Sequence, residues 1–127
     1  AEIARNTAFY HDCIRSMLGK PWVLMESTPS VTNWQEVSKL KRPGMHLLSS
    51  MLAVAHGAES VQYFQWRKGR GAAEKLHGAV VDHVGHEHTR VFRDVTSVGE
   101  YLQQIKPVLR SMTHARAAML CAQGSGH

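Results

Sequence analysis

The apolar residues of this chain switch repeatedly between a helical period and short unbroken runs, and that alternation limits the folds open to it more than any other feature. Residues 3–18 carry Ile3, Tyr10, Ile14, Met17 and Leu18 at helical spacing, and Gly19 with Pro21 closes the run. Trp22-Val23-Leu24-Met25 follows, a continuous apolar run that predicts a strand covered on both faces, as in a parallel sheet. A second helix is expected from about Met45 to His56, with apolar residues almost all round and therefore mostly covered; Gly57 suits the position just past its end. A second strand is expected over Val61-Gln62-Tyr63-Phe64-Gln65-Trp66, and then a long Gly- and His-bearing loop over 67–93. The last helix is predicted to start near Ser97-Val98-Gly99-Glu100, which has capping-box spacing. Its stripe is Val98, Leu102, Ile105 and Leu109, and Pro107 should kink or end it. Residues 115–121 read as a further buried strand.

Helix–strand–helix–strand–helix–strand order predicts an α/β fold with parallel strands. Two βα units cannot close a sheet, and a (β/α)8 barrel takes about 250 residues. The 127 residues therefore read as the last two βα units of such a TIM barrel plus a linker. The chain opens within a helix, on Ala1-Glu2-Ile3, without a starting Met or a leader pattern, which suggests a piece of something longer. Residues 1–110 are expected to be the C-terminal part of the barrel domain. Residues 111–127 are expected to be a linker and the start of a second α/β domain, or a non-native tail, since Gly124-Ser125-Gly126-His127 has linker composition.

With 43% apolar and 20% charged residues and no apolar stretch of about 18, a membrane partner is not expected. Cys13 and Cys121 lack metal-site or disulfide-framework spacing and read as buried free thiols of a reducing compartment, hence a cytoplasmic location. The net charge of +5 and pI near 9.6 bring nucleic acid into consideration. The basic runs are short, however: Lys39-Leu40-Lys41-Arg42 and Arg67-Lys68-Gly69-Arg70.

Glu26 follows the first strand directly, and active sites of α/β barrels lie at the carboxyl ends of strands. Taken alone, a capping or ion-paired glutamate is the commoner reading of such a residue. Its surroundings change the weighing. Leu24-Met25-Glu26-Ser27-Thr28-Pro29 with Asn33-Trp34, then Lys41-Arg42-Pro43-Gly44, Ala55-His56-Gly57-Ala58 and Tyr63-Phe64-Gln65-Trp66-Arg67 occur in that order. Glu74-Lys75-Leu76-His77-Gly78-Ala79-Val80-Val81 and Thr89-Arg90-Val91-Phe92-Arg93 come after them. Together, in order and spacing, these segments resemble the β-galactosidases of glycoside hydrolase family 42. Leu76 stands where Phe is common in that family, and the residues after Cys121 depart from its second domain.

The resemblance implies a TIM-barrel enzyme that hydrolyses terminal non-reducing β-D-galactosyl residues with retention, through a covalent galactosyl–enzyme and without a cofactor. It implies Glu26 as nucleophile, and Trp34, Phe64, Glu74 and His77 as residues holding the galactose. Full-length members are expected to be homo-oligomers, trimers by resemblance. The family's acid/base lies in an Asn-Glu pair on an earlier strand, and both asparagines here, Asn6 and Asn33, lack a following Glu. The piece alone is therefore expected to be inactive. The residue types suit the roles: a carboxylate attacks the anomeric carbon, and flat aromatic faces cover sugar C–H groups. Glu74 and His77, three apart, reach neighbouring hydroxyls if a short helical turn forms there.

Two readings of another class compete, both of a non-enzymatic module. His83, His86 and His88 form H-x-x-H-x-H, a set of imidazoles suited to zinc or nickel. Lys39, Lys41, Arg42, Arg67, Arg70 and Lys75 beside Trp34 and Trp66 have the composition of a single-strand nucleic-acid surface. Neither is preferred: loop histidines more often bond backbone and water, charge runs are usually solvated faces, and nothing in the resemblance implies a metal.

Overall fold

Residues 2–112 and 114–120 are described by a computed structural model. The first helix, α1, spans Glu2–Leu18 as expected. It stops where Gly19 takes φ +60 and donates its N–H to the Arg15 carbonyl at 2.9 Å. Strand β1 (Trp22–Ser27), helix α2 (Met45–Ala55), strand β2 (Ala58–Tyr63) and helix α3 (Arg90–Gln104) follow. The two strands pair in parallel, so the expected α/β arrangement is present. Parallel strands need a crossover, and α2 lies on that crossover, packed on both β2 and α3.

The core gathers where helices meet the start of the ladder. Trp22, Ala53 of α2 and Ala58 are buried together, with Ile14 of α1 and Leu24 against them. The Trp22 indole N–H donates to the His56 carbonyl at 3.1 Å, which satisfies its one polar atom inside the core. Gly57, just past α2, holds φ +98, and a Cβ there would lie 2.9 Å from the Arg15 side chain. The turn into β2 therefore needs glycine both for conformation and for space.

Several expectations change. β1 is longer than its apolar run, so Glu26 lies inside the strand's last turnout rather than after it. β1 is also not covered on both faces, for Met25 remains 72% exposed. Strand β2 begins at Ala58 instead of Val61 and ends at Tyr63. The reason is the partner: Trp22 pairs with Ala58 and Ser27 with Tyr63, so the ladder ends where β1 ends. Beyond it the chain changes partner, and Gln65, Trp66 and Lys68 exchange backbone hydrogen bonds with Val80 and Val81 at 2.8–2.9 Å. Ala79, Val80 and Val81 are consequently buried, inside what reads as loop in the sequence.

Helix α2 is not mostly covered. Its buried residues are His46, Ser50 and Ala53, while Leu48 is exposed. Helix α3 starts well before Ser97, because Thr89 supplies the cap, its Oγ accepting the Phe92 N–H at 3.2 Å, and Arg90 pairs with Asp94 at 2.7 Å within the first turns. Val98 is its buried centre, and Pro107 lies in a 3-10 turn (Lys106–Val108) after its end. Residues 115–120 form no strand and are exposed, and Cys121 lies outside the described residues. Cys13 is a half-buried free thiol. Among the described residues no helix is long and apolar enough to cross a membrane.

His46 sits fully inside, its Nε2 3.3 Å from the Tyr63 hydroxyl. Burial lowers its imidazole from the usual 6.5 to about 4; the Lys41 ammonium adds to the drop and Asp94 opposes it. The unfolded chain therefore binds a proton near pH 6.5 that the folded chain refuses until about 4. The stability His46 contributes is fully present above pH 6.5 and is lost as pH falls toward 4, roughly 3 kcal/mol in all. In the full-length protein, His46→Gln is expected to flatten the decline of the thermal midpoint across that window. An equally steep decline in the variant refutes it.

Candidate active site

Parallel pairing places the carboxyl ends of β1 and β2 on the same side, and the expected site residues follow from those ends. Between Leu24 and Ser27, β1 uses one residue more than β2 uses between Val61 and Tyr63, so an irregularity in the ladder falls on Met25 and Glu26. Such a bulge re-aims a side chain at the end of a strand. Glu26 is exposed there. The next residue, Ser27, accepts the Phe64 N–H on its carbonyl at 3.3 Å, which ties the exits of the two strands together.

The loop after β1 is drawn against the segment that follows β2. Pro29 and Ser30 are buried, and Gly78 donates its N–H to the Val31 carbonyl at 2.8 Å. The approach is so close that a Cβ on Gly78 would meet Ser30 Oγ at 2.1 Å and the Val31 backbone at 2.6 and 2.7 Å. Asn33 reaches across as well, donating from Nδ2 to the Ala73 carbonyl at 3.1 Å and to Glu74 Oε2 at 3.4 Å. Within the stretch read as loop, a short 3-10 helix forms over Ala73–Leu76, the turn that a joint role of Glu74 and His77 requires.

His77 is buried beside it, with the Phe64 ring edge-on at 5.0 Å between centroids. Its Nδ1 lies 3.0 Å from the Gly78 carbonyl. A carbonyl only accepts, so Nδ1 carries the hydrogen, and in the neutral ring Nε2 is left to accept. Phe64, Glu74 and His77 thus form one group, with Glu26 at the neighbouring strand exit. Trp34 does not join them: it is 71% exposed and makes no ring contact with Phe64 or His77 among the described residues.

Several supporting residues stand in the sequence only inside motifs, with nothing there to give their contacts. Lys41 Nζ donates to the Thr28 carbonyl at 2.5 Å, and Arg90 Nη2 donates to the Lys41 carbonyl at 2.7 Å. Asn33 was visible only as part of a motif. Contacts between residues so far apart along the chain follow no helical or strand period. A partial signal did exist for His46 and Ser50, polar residues four apart in an otherwise apolar helix.

The histidine run does not converge. His83 Nε2 lies 2.7 Å from the Gly69 carbonyl, whereas the His86 and His88 rings lie 5.5 Å from each other. Among the described residues no three His, Cys, Asp or Glu side chains are placed to hold a metal ion. Asp82 serves the loop: burial raises its carboxyl, but the His83 N–H and the Lys68 ammonium outweigh that and hold it below the usual carboxylate range. Two cavities, both against Gly57 and Ser111, lie away from the strand exits.

The family profile for glycoside hydrolase family 42, described as Beta-galactosidase, matches residues 1–105. The chain belongs to that family. It is 65% identical over 117 residues to Beta-galactosidase BglY of Alicyclobacillus acidocaldarius, covering 92% of this chain and 17% of that protein. It is 61% identical over 113 residues to Beta-galactosidase Pbg of Clostridium perfringens, covering 88% and 16%. The crystal structure of the cold-adapted β-galactosidase from Rahnella sp. R3 superposes with a TM-score of 0.86 at 63% identity, over 89% of this chain and 17% of that one. The chain therefore spans about a sixth of the length of these relatives.

Gly78→Ala in the full-length protein is expected to force the 29–31 loop and the 77–79 segment apart, because two of the three clashes are with backbone. The cost is about 1–3 kcal/mol, the usual range for overpacking. Calorimetry of the variant should show a clearly lower thermal midpoint; an unchanged midpoint refutes the close approach.

Proposed function

We propose that this chain is the nucleophile-bearing part of a retaining β-galactosidase that hydrolyses terminal non-reducing β-D-galactosyl residues. In this reading residues 1–110 are the last two βα units of a (β/α)8 barrel, and residues 111–127 lead toward a further domain. The observation that carries it is the arrangement at the strand exits. An exposed carboxylate stands next to last in β1, and the ties from Ser27, Val31 and Asn33 bring Phe64, Glu74 and His77 alongside. Membership of family 42 and the names of the relatives support the same substrate class.

Glu26 attacks the anomeric carbon as an ionised carboxylate, and the glycosidic bond breaks toward the leaving oxygen. A carboxylic acid from outside this chain protonates that oxygen, then as a base takes a proton from the water that releases galactose. Retention with a covalent intermediate needs the two carboxyl groups about 5–5.5 Å apart. The irregularity of the ladder at Met25–Glu26 sets one end of that distance. Phe64 covers an apolar face of the sugar, and Trp34 closes over it once the rest of the barrel is present. Glu74 and His77 grip adjacent hydroxyls, Glu74 as acceptor with its carboxylate oriented by Asn33, and His77 through Nε2.

Glu26→Ala in the full-length protein tests the nucleophile. Activity is expected to fall by several orders of magnitude on aryl galactosides. Added azide should restore part of it, attacking the anomeric carbon in place of the carboxylate and leaving α-galactosyl azide. Near-normal activity, or rescue that yields the β product, refutes the role.

Glu74→Ala tests specificity. Galactose differs from glucose in the direction of one hydroxyl, and a buried partner left unpaired costs about 1–3 kcal/mol. kcat/KM should therefore drop roughly five- to 150-fold. The preference for nitrophenyl galactoside over nitrophenyl glucoside should shrink with it, and an unchanged ratio of the two kcat/KM values assigns Glu74 to the fold instead.

A further inference from the structure

The segment between β1 and α2 has no regular secondary structure, yet it carries Asn33 and Trp34 and begins two residues beyond Glu26, at Thr28. A long loop of that kind holds its place only through specific ties. Two are internal. Ser38 Oγ donates to the Thr32 carbonyl at 2.6 Å across the middle, and Lys41 Nζ donates to the Thr28 carbonyl at 2.5 Å across the root. The second is unusual, because Lys41 is half-buried and makes no ion pair with a carboxylate among the described residues. An ammonium withdrawn from water in favour of one backbone carbonyl is costly unless that carbonyl must be held. The charge makes the hydrogen bond short and strong. Lys41 is itself anchored: Arg90 Nη2 donates to its carbonyl at 2.7 Å, while Arg90 Nη1 pairs with Asp94 at 2.7 Å. The chain of contacts runs from the first turn of α3, through Lys41, to the carbonyl two residues beyond Glu26.

We propose that Lys41 is a positioning residue for the nucleophile: by holding the Thr28 carbonyl it fixes the turn out of β1 and thereby the carboxylate of Glu26. Burial lowers the Lys41 ammonium below its usual value, in keeping with a lysine enclosed by its loop. The inference rests on Glu26 being the nucleophile. A displacement of about 1 Å at a reacting group costs roughly a hundredfold in rate, so release of this tie is read in the chemical step more than in sugar binding.

The test uses the full-length enzyme and a 2,4-dinitrophenyl 2-deoxy-2-fluoro-β-galactoside, which traps the covalent galactosyl–enzyme and marks the attacking carboxylate by mass. Lys41→Met keeps the apolar stem and removes the donor. It is expected to slow trapping roughly ten- to hundredfold at saturating probe, with probe affinity changed no more than about threefold. Lys41→Arg, which restores a cationic donor, should recover most of the rate. Trapping by Lys41→Met at the parental rate overturns the proposal, as does a Lys41→Arg variant as slow as Lys41→Met. If Lys41→Met does not accumulate as folded protein, Arg90→Lys carries the test. It loses the N–H held on the Lys41 carbonyl while keeping a charge beside Asp94; slower trapping supports the brace and parental trapping overturns it. Label on a peptide other than the one containing Glu26 is a different result, for it removes the nucleophile assignment and the brace falls with it.

Discussion

Parallel pairing of β1 with β2 is the constraint on which everything else in this molecule depends. Two strands running the same way cannot be joined by a short turn, so the chain must cross over, and α2 lies on that path. The same geometry sends both strands out on one side. Only for that reason do the residues after Ser27 and the residues after Tyr63 meet at all. The ladder is short and irregular, and its last irregularity falls on Glu26, where a regular strand would have left the carboxylate's direction to the simple alternation of faces.

Once the two exits are side by side, small residues and polar contacts rather than apolar burial draw the site together. Gly78 admits the backbone of Val31 to a distance that no side chain would permit. Asn33 spans to the Ala73–Leu76 turn, and Lys41 holds the root of its own loop. These are directional, charge-assisted or backbone contacts, which fix position more sharply than they add stability. A separate apolar cluster, Trp22, Ala53 and Ala58, packs at the opposite end of the ladder. A rigid base with its polar, open surface at the strand exits is the division of labour expected of a barrel segment.

The exposed apolar residues belong to the same picture. Met25, Leu48 and Tyr101 stay open, and the buried stripe of α2 is His46, Ser50 and Ala53 rather than its leucines. A helix apolar on all sides demands cover on all sides, and two strands with three helices cannot provide it. The chain spans about a sixth of the length of its relatives.

What the sequence by itself determined is what local chemistry controls. Helix α1 with its glycine stop, the place and parallel character of β1 and the glycine after α2 all follow from periods and from the few residues that interrupt them. The family was legible because ordered motifs survive whatever the fold does with them. Strand β2 and helix α3 were misplaced along the chain, and for one physical reason. Where a strand ends is decided by its partner, as Tyr63 is by Ser27, and where a helix begins is decided by which cap finds its N–H, as Thr89 does ahead of Ser97. The burial of Val80 and Val81, the closeness of Gly78 to Val31 and the grip of Lys41 on Thr28 were decided by tertiary structure alone. Each joins segments that no local period relates, and each exists only because the strand exits lie together.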